Sequence, residues 1–561
     1  MSLQEIRQNM KADALIIFRT NHFLGQDILD SENKILELTG FSGSAGTLII
    51  TRSHAFLFVD GRYEIQARLQ TDSQQISVVL CDAQINPVSW LKTHFREGVI
   101  AYNPWQISAT YLKKLSQSLP QARLVAISNF VATPPAKVFA HELKYCGVPM
   151  AQKIAALVEE INKKNADMAL VCAADSVSWL ANIRSSALPE TPIVRAYALV
   201  DKQGKITLCG DNLEFDEDCN FECRPIAEIK DILINRRIKK IIADMKTTPE
   251  AICEICRKSG VEIIFGDDSC IKAKAIKNPV EINGMINAHI RDGVAVCKFL
   301  RWFEKNYRGK SEFEIAEKAA YFRREQPLFF SLSFATIAAS AENAAIIHYQ
   351  PEKDNSKIIA DNSLMLIDSG AQYFDGTTDI TRTVAAGTPA KEQKQKFSLV
   401  LKAFIALISQ DFPENTSGTR LDAICRSVLW RHGLDYKHGT GHGVGSFLNV
   451  HEGPQNLGAS GNDYPLRPGM VVSIEPGYYQ ENAFGIRIEN LVYVTKSSHS
   501  GFLSFAPLTL VPIDLRMIDK YLLDRGEIDW LNSYHQKVYQ TLSLLLDEDE
   551  LKWLEKACSP L

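Results

Sequence analysis

Between two predicted strands the chain reads His438-Gly-Thr-Gly-His442-Gly-Val-Gly445 and continues through Ser446-Phe-Leu-Asn-Val to His451-Glu-Gly-Pro454. Four glycines in eight residues give a backbone that can approach a ligand closely or adopt positive φ, and this backbone carries three histidines within fourteen positions. Taken alone, the segment also reads as a tight loop with surface histidines. The acidic residues on either side decide between the two.

Upstream, Leu364-Met-Leu-Ile367 is an unbroken apolar run that predicts a buried strand delivering Asp368 at its end. After a turn at Asp375-Gly376, a second strand is expected over 377–384 with Asp379, Thr381 and Thr383 on one face, so that an antiparallel pair sets Asp368 and Asp379 side by side. Downstream, residues 470–475 predict a strand ending in Glu475, and residues 485–490 a strand whose alternation puts Arg487 and Glu489 on one face. Any one of these acids reads as a surface or ion-paired carboxylate. Four of them ending or interrupting apolar strands around one histidine loop are costly to bury without a cation. Oxygen ligands with one imidazole suit manganese, cobalt, iron or zinc. Four carboxylates neutralise two divalent ions, which makes a two-metal hydrolytic centre the economical expectation.

The 561 residues leave room for about three domains. Short apolar runs, Ala14-Leu-Ile-Ile-Phe18, Thr47-Leu-Ile-Ile50 and Ala55-Phe-Leu-Phe-Val59, followed by a helix from Tyr63, predict an α/β domain over 1–132. A second α/β domain is expected over 133–272, where Ile154, Leu157, Val158 and Ile161 mark one helical face. Asn165-Ala-Asp-Met-Ala-Leu-Val171 parallels Lys11-Ala-Asp-Ala-Leu-Ile-Ile17, a weak internal duplication. Gly40-Phe-Ser-Gly43-Ser-Ala-Gly46 lacks the order and the lysine of a phosphate loop and reads as a turn. Neither copy holds a polar cluster suited to chemistry, so both are expected to be accessory, although Arg62 in Asp60-Gly-Arg62-Tyr63 is presented where it can reach a neighbouring site.

The catalytic domain is expected over 273–500, opened by the capping box Asn278-Pro-Val-Glu281 and a long helix. A second capping box, Ser311-Glu-Phe-Glu314, starts a helix that stops before Pro327. Residues 501–561 form an extension whose helix carries Leu531, Tyr534, His535, Val538, Leu542 and Leu545 on one face, free to pack on its own domain or on a second copy.

A net charge of −4 from intermixed acids and bases points to neither nucleic acid nor an anionic membrane as partner. No apolar run approaches the ~18 residues of a membrane span, the start Met1-Ser-Leu-Gln-Glu-Ile lacks a signal pattern, and a cytoplasmic protein is expected. Twelve scattered cysteines fit reduced thiols. Cys219, Cys223, Cys253 and Cys256 could be forced into a zinc site, but Thr248-Pro-Glu250 reads as a helix start, and buried helical cysteines are the expectation.

With those residues in view, the chain resembles the aminopeptidase P family, the X-prolyl aminopeptidase branch of the pita-bread metallopeptidases, in its long three-domain cytosolic form. The resemblance is densest at Ala344-Ala-Ile-Ile-His-Tyr349, Leu366-Ile-Asp-Ser-Gly-Ala-Gln372, Gly376-Thr-Thr-Asp-Ile-Thr-Arg-Thr383, residues 438–454, Ser473-Ile-Glu-Pro-Gly477 and Arg487-Ile-Glu-Asn490. It implies an α/β and α+β protein: two similar creatinase N-domain-like accessory domains, then a pita-bread catalytic domain. It implies that Asp368, Asp379, His442, Glu475 and Glu489 bind two divalent metals, with Asp379 and Glu489 bridging and manganese the usual ion. It places His348, His438, His451 and Arg487 in the substrate pocket and favours a homodimer. The implied reaction releases the first residue of a peptide whose second residue is proline, with Glu475 as proton acceptor and His438 or His451 donating to the oxyanion. A dipeptide-restricted prolidase, a creatinase or methionine aminopeptidase relative, and a metal-free binding protein are the alternatives, and the presence of all five ligands counts against the last. One departure from the family pattern is Thr20-Asn-His-Phe-Leu-Gly25, where an acidic, serine-containing segment is expected at the rim of the site.

Overall fold

The computed structural model describes residues 2–130, 133–459 and 463–561. They divide into two compact units, one of 1–143, 148–188 and 192–270, the other of 144–147, 189–191 and 271–561.

The first unit contains the same sheet twice. In the first copy the strand order is Ile76–Leu80, Ala55–Val59, Thr47–Thr51, Ala14–Phe18, Val99–Tyr102, Arg123–Ala126. Its successive pairings are parallel, antiparallel, antiparallel, parallel and parallel. The second copy, Glu222–Arg224, Ile206–Cys209, Tyr197–Asp201, Met168–Val171, Lys240–Ala243, Glu262–Phe265, repeats both the order and the sense of every pairing. The two segments matched by sequence, around Ala14 and Met168, occupy the same place in each sheet, so the duplication is structural. The helix Met150–Lys163 buries Ile154, Leu157 and Ile161 against the second sheet, as its spacing predicts.

The divergent segment 20–25 is part of this unit's interior. Thr20, Asn21, His22 and Phe23 are all buried, the Tyr197 hydroxyl donates to the His22 carbonyl, and the His22 ring lies among Phe23, Trp105 and Phe130. Cys253 and Cys256 lie on the helix Glu250–Lys258, and burial pushes both thiols up to about 12.

The second unit is built as helices followed by strands, two times over. Pro279–Asn306 and Glu312–Arg324 precede a three-stranded antiparallel sheet of Ile337–Ser340, Ser363–Ser369 and Ile380–Ala386. Lys391–Ile408 and Gly418–Trp430, with the short strand Phe412–Pro413 between them, precede the other five strands of a six-stranded antiparallel sheet ordered Phe412–Pro413, Phe502–Pro507, Asn490–Lys496, Val471–Ile474, Gly441–Gly443, Glu452–Leu457. Both expected capping boxes are formed, by Asn278 with Glu281 and by Ser311 with Glu314.

The strand expected over 377–384 is divided. Gly376–Thr377 belongs to a sheet with Ala371–Tyr373, whereas Ile380–Ala386 pairs with Ser363–Ser369, and the chain changes sheets at Thr378-Asp379. Gly370 makes the same change in the other direction, and a Cβ there would lie 2.0 Å from the Thr378 carbonyl oxygen. The register puts Asp368 opposite Thr381, with Asp379 just past the end of its strand. The strand expected over 485–490 is likewise two strands, Phe484–Arg487 and Asn490–Lys496, with Glu489 in the break.

The extension is bound into this unit. Leu531, Tyr534, Val538 and Leu542 of the helix Arg525–Leu542 join the core that contains Phe404 and Ile513, so the apolar stripe is used within the chain. Leu545, expected on the same stripe, is 52% exposed because the helix ends at Leu542 and a 3-10 turn rotates it outward. Arg382 is fully enclosed and ties the extension to the strand after Asp379. Its guanidinium donates to the carbonyls of Thr381 (3.0 Å), Glu489 (2.7 Å), Val511 (2.7 Å) and Pro512 (3.1 Å), and to the Tyr534 hydroxyl (3.0 Å).

Candidate metal centre

Asp379, His442 and Glu489 come together in the second unit, each offering a ligand atom, and the three atoms lie within 4.8 Å of one another. Asp379 and Glu489 come from breaks in regular structure, the sheet change before Ile380 and the gap between Arg487 and Asn490, and His442 from the three-residue strand Gly441–Gly443, where the pairing register shifts. Strand ends serve here because their side chains leave the ladder and can converge, which the flat face of a continuous strand does not allow. Gly441 makes the approach possible, since a Cβ there would lie 1.9 Å from the Ser473 carbonyl oxygen.

The His442 ring is oriented from behind. Its Nδ1 lies 3.0 Å from the Gly443 carbonyl oxygen and so carries the hydrogen, leaving the Nε2 lone pair directed at Asp379 Oδ2 (3.4 Å) and Glu475 Oε1 (3.7 Å). A bare nitrogen facing two carboxylate oxygens is repulsive unless a proton or a metal ion sits among them. Glu475 follows the strand Val471–Ile474 and is held there by its own N–H, which donates to the Thr440 carbonyl at 2.7 Å.

The electrostatics agree. Burial first, then the charges of Asp368 and Glu475, hold the Asp379 carboxyl well above the usual carboxylate range. Burial, followed by Asp379, Asp368 and Glu475, does the same to Glu489. Among the described residues, the buried Oδ1 atoms of Asp368 and Asp379 have no hydrogen-bond donor. Buried oxygen acceptors lacking donors suit hard divalent cations, and an imidazole whose far nitrogen is fixed by a carbonyl is the usual support of a metal-bound histidine.

Asp368 joins the group through Arg487. Arg487 Nη2 donates to Asp368 Oδ2 at 2.6 Å, Nε to Thr381 Oγ1 at 3.2 Å, Nη1 to the Tyr479 hydroxyl at 2.8 Å and Nη2 to the Ile347 carbonyl at 3.4 Å. Burial works against its charge, but Tyr479, Asp368 and Glu475 keep the guanidinium above its ordinary range. Arg487 is therefore a fixed cation on the rim of an anionic cluster.

The remaining predicted residues fall in two places. His438 Nδ1 lies 2.7 Å from the Gly439 carbonyl oxygen and 4.0 Å from Glu475 Oε2, while Nε2 lies 2.8 Å from the Tyr479 hydroxyl. His451 stands against His442, ring centroids 4.3 Å apart and planes at 80°. His348 is half-buried and follows Ile347, whose carbonyl Arg487 holds. Arg62 lies in the first unit, where Asp60 Oδ2 accepts from its Nη2 at 2.7 Å and its guanidinium lies over the Tyr63 ring.

Sequence reasoning missed two supports. Tyr479 is half-buried between His438 and Arg487 and its hydroxyl touches both; its signal was the strand Gly477–Gln480 directly after Glu475-Pro476. Asp422 and Arg426, one turn apart on the helix Gly418–Trp430, hold the loop from beneath: Arg426 donates to the His438 carbonyl at 2.5 Å, and Asp422 accepts from Thr440 Oγ1 at 2.6 Å. Nothing local in 418–430 marks that pair, which looks like an ordinary helical ion pair until the loop is packed on it.

Comparison with known proteins adds a lineage to this geometry. Residues 2–133 and 129–281 each match a creatinase/prolidase N-terminal domain, 283–496 match metallopeptidase family M24, and 501–561 match the C-terminal region of that peptidase. A probable Xaa-Pro aminopeptidase P of Sordaria macrospora is 35% identical over 100% of this chain and 98% of its own length. Aminopeptidase P2 of Arabidopsis thaliana is 36% identical over 98% of this chain and 86% of its own. The crystal structure of X-prolyl aminopeptidase from Caenorhabditis elegans, described as a cytosolic enzyme with a di-nuclear active site, superposes with a TM-score of 0.92 at 34% identity, covering 98% of this chain and 95% of that one.

Proposed function

This chain belongs to the Xaa-Pro aminopeptidase P family of the M24 metallopeptidases, and from that premise we propose that it hydrolyses the bond between a peptide's first residue and a proline in second position, releasing that first residue. The observation that carries the reading is the convergence of buried, donor-poor carboxylates on the His442 Nε2 lone pair. Asp368, Asp379, His442, Glu475 and Glu489 are the residues that would hold two divalent ions, with Asp379 and Glu489 shared between them and manganese as the first choice before cobalt, zinc or iron. When bound, such ions supply hydroxide near neutral pH and polarise the scissile carbonyl. The di-nuclear nematode relative supports the count of two.

The chain's own residues do the rest. Glu475 Oε2, turned toward His438, takes the proton released when water attacks. His438 has its Nδ1 on the Gly439 carbonyl and its Nε2 on the Tyr479 hydroxyl. Donation to the oxyanion falls to His438 or His451. Arg487 and His348 orient the peptide, with Arg487 held in place by Asp368 and Tyr479 before any substrate arrives.

In this reading the chain comprises two α/β accessory domains, 1–132 and 133–272, a catalytic domain, 273–500, and a C-terminal extension, 501–561. Two such domains in place of one favour extended chain ends over dipeptides, which a prolidase recognises by the carboxylate after proline. A cytoplasmic homodimer completes the reading. The cytosolic description of the nematode relative supports the compartment, and among the described residues no helix is long and apolar enough to cross a membrane. Gel filtration with light scattering tests the dimer.

The deciding experiment compares Xaa-Pro-Yaa tripeptides, longer Xaa-Pro peptides, Xaa-Pro dipeptides and peptides without proline in second position, each before chelation, after it, and after metal readdition. Cleavage of the first two classes at the first bond, lost on chelation and regained with manganese, is expected. Efficient turnover of dipeptides with refusal of longer chains would replace this reading with a prolidase.

A further inference from the structure

Glu312 is the most completely enclosed acid of the second unit that the mechanism above does not use, with 0% of its surface exposed. It is the first residue of the helix Glu312–Arg324, and among the described residues no lysine, arginine or histidine forms an ion pair with it. Its charge is met by hydrogen-bond donors alone. Oε1 accepts from the Ser340 N–H (2.6 Å), the Ser340 hydroxyl (2.8 Å) and Asn343 Nδ2 (3.2 Å). Oε2 accepts from Asn343 Nδ2 (3.0 Å), the Tyr349 hydroxyl (2.7 Å) and the Lys357 N–H (3.2 Å). The Lys357 ammonium turns away to Glu342 at 2.5 Å.

These donors share one feature: all belong to the excursion 340–357, at its two ends and at intermediate points. The Glu312 N–H adds a bond to the Lys357 carbonyl at 2.9 Å, so the start of the helix and the end of the excursion are laced together. His348 lies inside the excursion, one residue before Tyr349. On its other side the excursion abuts the strand that leads to Arg487: a Cβ at Gly485 would lie 1.8 Å from the Ala344 carbonyl oxygen, and the Ile347 carbonyl accepts from Arg487. An enclosed carboxylate without a cation is expensive to keep, and its burial is offset only while the full set of donors stays in place. The donors come from main chain and from Ser340, Asn343 and Tyr349, side chains with few rotatable bonds, so the arrangement has essentially one geometry.

We propose that Glu312 is the positioning residue of the substrate pocket, fixing His348 against the strand Phe484–Arg487 by closing the excursion 340–357. The proposal rests on the placement of His348 in that pocket. Glu312→Gln retains the volume but presents an amide N–H₂ to groups that are themselves donors, which loosens the closure without opening a cavity.

The test is a double-mutant cycle on the full-length, metal-loaded protein with an Xaa-Pro-Yaa tripeptide, using Glu312→Gln, His348→Ala and the double variant, with metal content and Tm recorded for each. Glu312→Gln is expected to keep its metal and to lower kcat/KM on the order of 10-fold, as loss of an outer support usually does. In the His348→Ala background the same change is expected to cost nothing further. Tyr349→Phe removes one donor, should show a smaller loss with the same dependence on His348, and carries the cycle if Glu312→Gln does not fold. Losses that multiply when His348→Ala is itself impaired overturn the positioning role alone, as does a lower Tm with kcat/KM unchanged per metal-loaded protein. If His348→Ala leaves kcat/KM at the wild-type value, the placement of His348 falls, and the proposal with it.

Discussion

Thr381 and Glu489 hold each other reciprocally: the threonine hydroxyl donates to Glu489 Oε2 at 2.7 Å, and the Glu489 N–H donates to the Thr381 carbonyl at 3.1 Å. One bond fixes the carboxylate and the other fixes the backbone that carries it, so the break between Arg487 and Asn490 is locked to the strand that follows Asp379. Thr381 Oγ1 also accepts from Arg487 Nε, which leaves the hydroxyl one way to point its hydrogen, toward Glu489.

Thr381→Val keeps the shape of the side chain and removes that hydrogen. Metal affinity is expected to fall about 10- to 100-fold with little change in fold. Titration of metal into the chelated variant, beside wild type, measures this, and an unchanged affinity would show that the backbone bond alone orients Glu489.

Asp379→Ala and Glu489→Ala each take away a carboxylate that the proposed reading shares between the two ions. Activity should be lost together with at least one metal, because the remaining ligands cannot balance two divalent charges. His438→Ala is expected to retain metal and lose most of its turnover, since its ring nitrogens contact Gly439 and Tyr479. Metal analysis by mass spectrometry separates the two cases, and metal loss in His438→Ala equal to that in Asp379→Ala would refute the division of labour.

Three buried histidines set an acid limit on stability. Burial, aided by Arg195, lowers His22 to about 3, burial lowers His289 to about 4, and burial with Arg382 lowers His535 to about 4, from an ordinary value of 6.5. The unfolded chain therefore binds more protons than the folded one between those values and 6.5. Stability from these groups is complete above 6.5 and is lost as pH falls toward 4, with a limit of roughly 3 kcal/mol for His535. His535 Nε2 accepts from the Ile513 N–H at 3.0 Å, a bond that glutamine can imitate. Urea unfolding of wild type and His535→Gln at pH 7.5 and 5.0 should show a smaller acid loss in the variant; equal losses would mean that His535 is protonated in the folded state.

Cys253→Ser with Cys256→Ser should leave metal content and activity at wild-type values. Both thiols are buried on one helix face and pushed up to about 12, which keeps them protonated and poor ligands at neutral pH. A stoichiometric loss of zinc in the double variant would contradict this.

What the sequence by itself determined is whatever depends on near neighbours. Apolar runs located the strands Ser363–Ser369 and Val471–Ile474, capping boxes located the starts of the helices Pro279–Asn306 and Glu312–Arg324, and acids at strand ends pointed to the cluster that contains Asp379, His442 and Glu489. The repeated Lys11 and Asn165 segments marked two copies of one sheet. Tertiary structure decided where those strands break. Alternation continues through Asp379 and Glu489, and only the crossing of Gly370 over Thr378, together with the Thr381–Glu489 bonds, shows that each acid sits in a gap where its side chain can turn inward. It also decided the supports. Glu312 reads as a helix-start acid, Tyr479 as a strand aromatic and Arg426 as half of a surface pair, because each acquires its partners from residues distant in the chain. Periodicity records which side of an element is apolar; which polar groups meet across the interior depends on three-dimensional packing, since a buried donor or acceptor must find its complement wherever the fold has brought one.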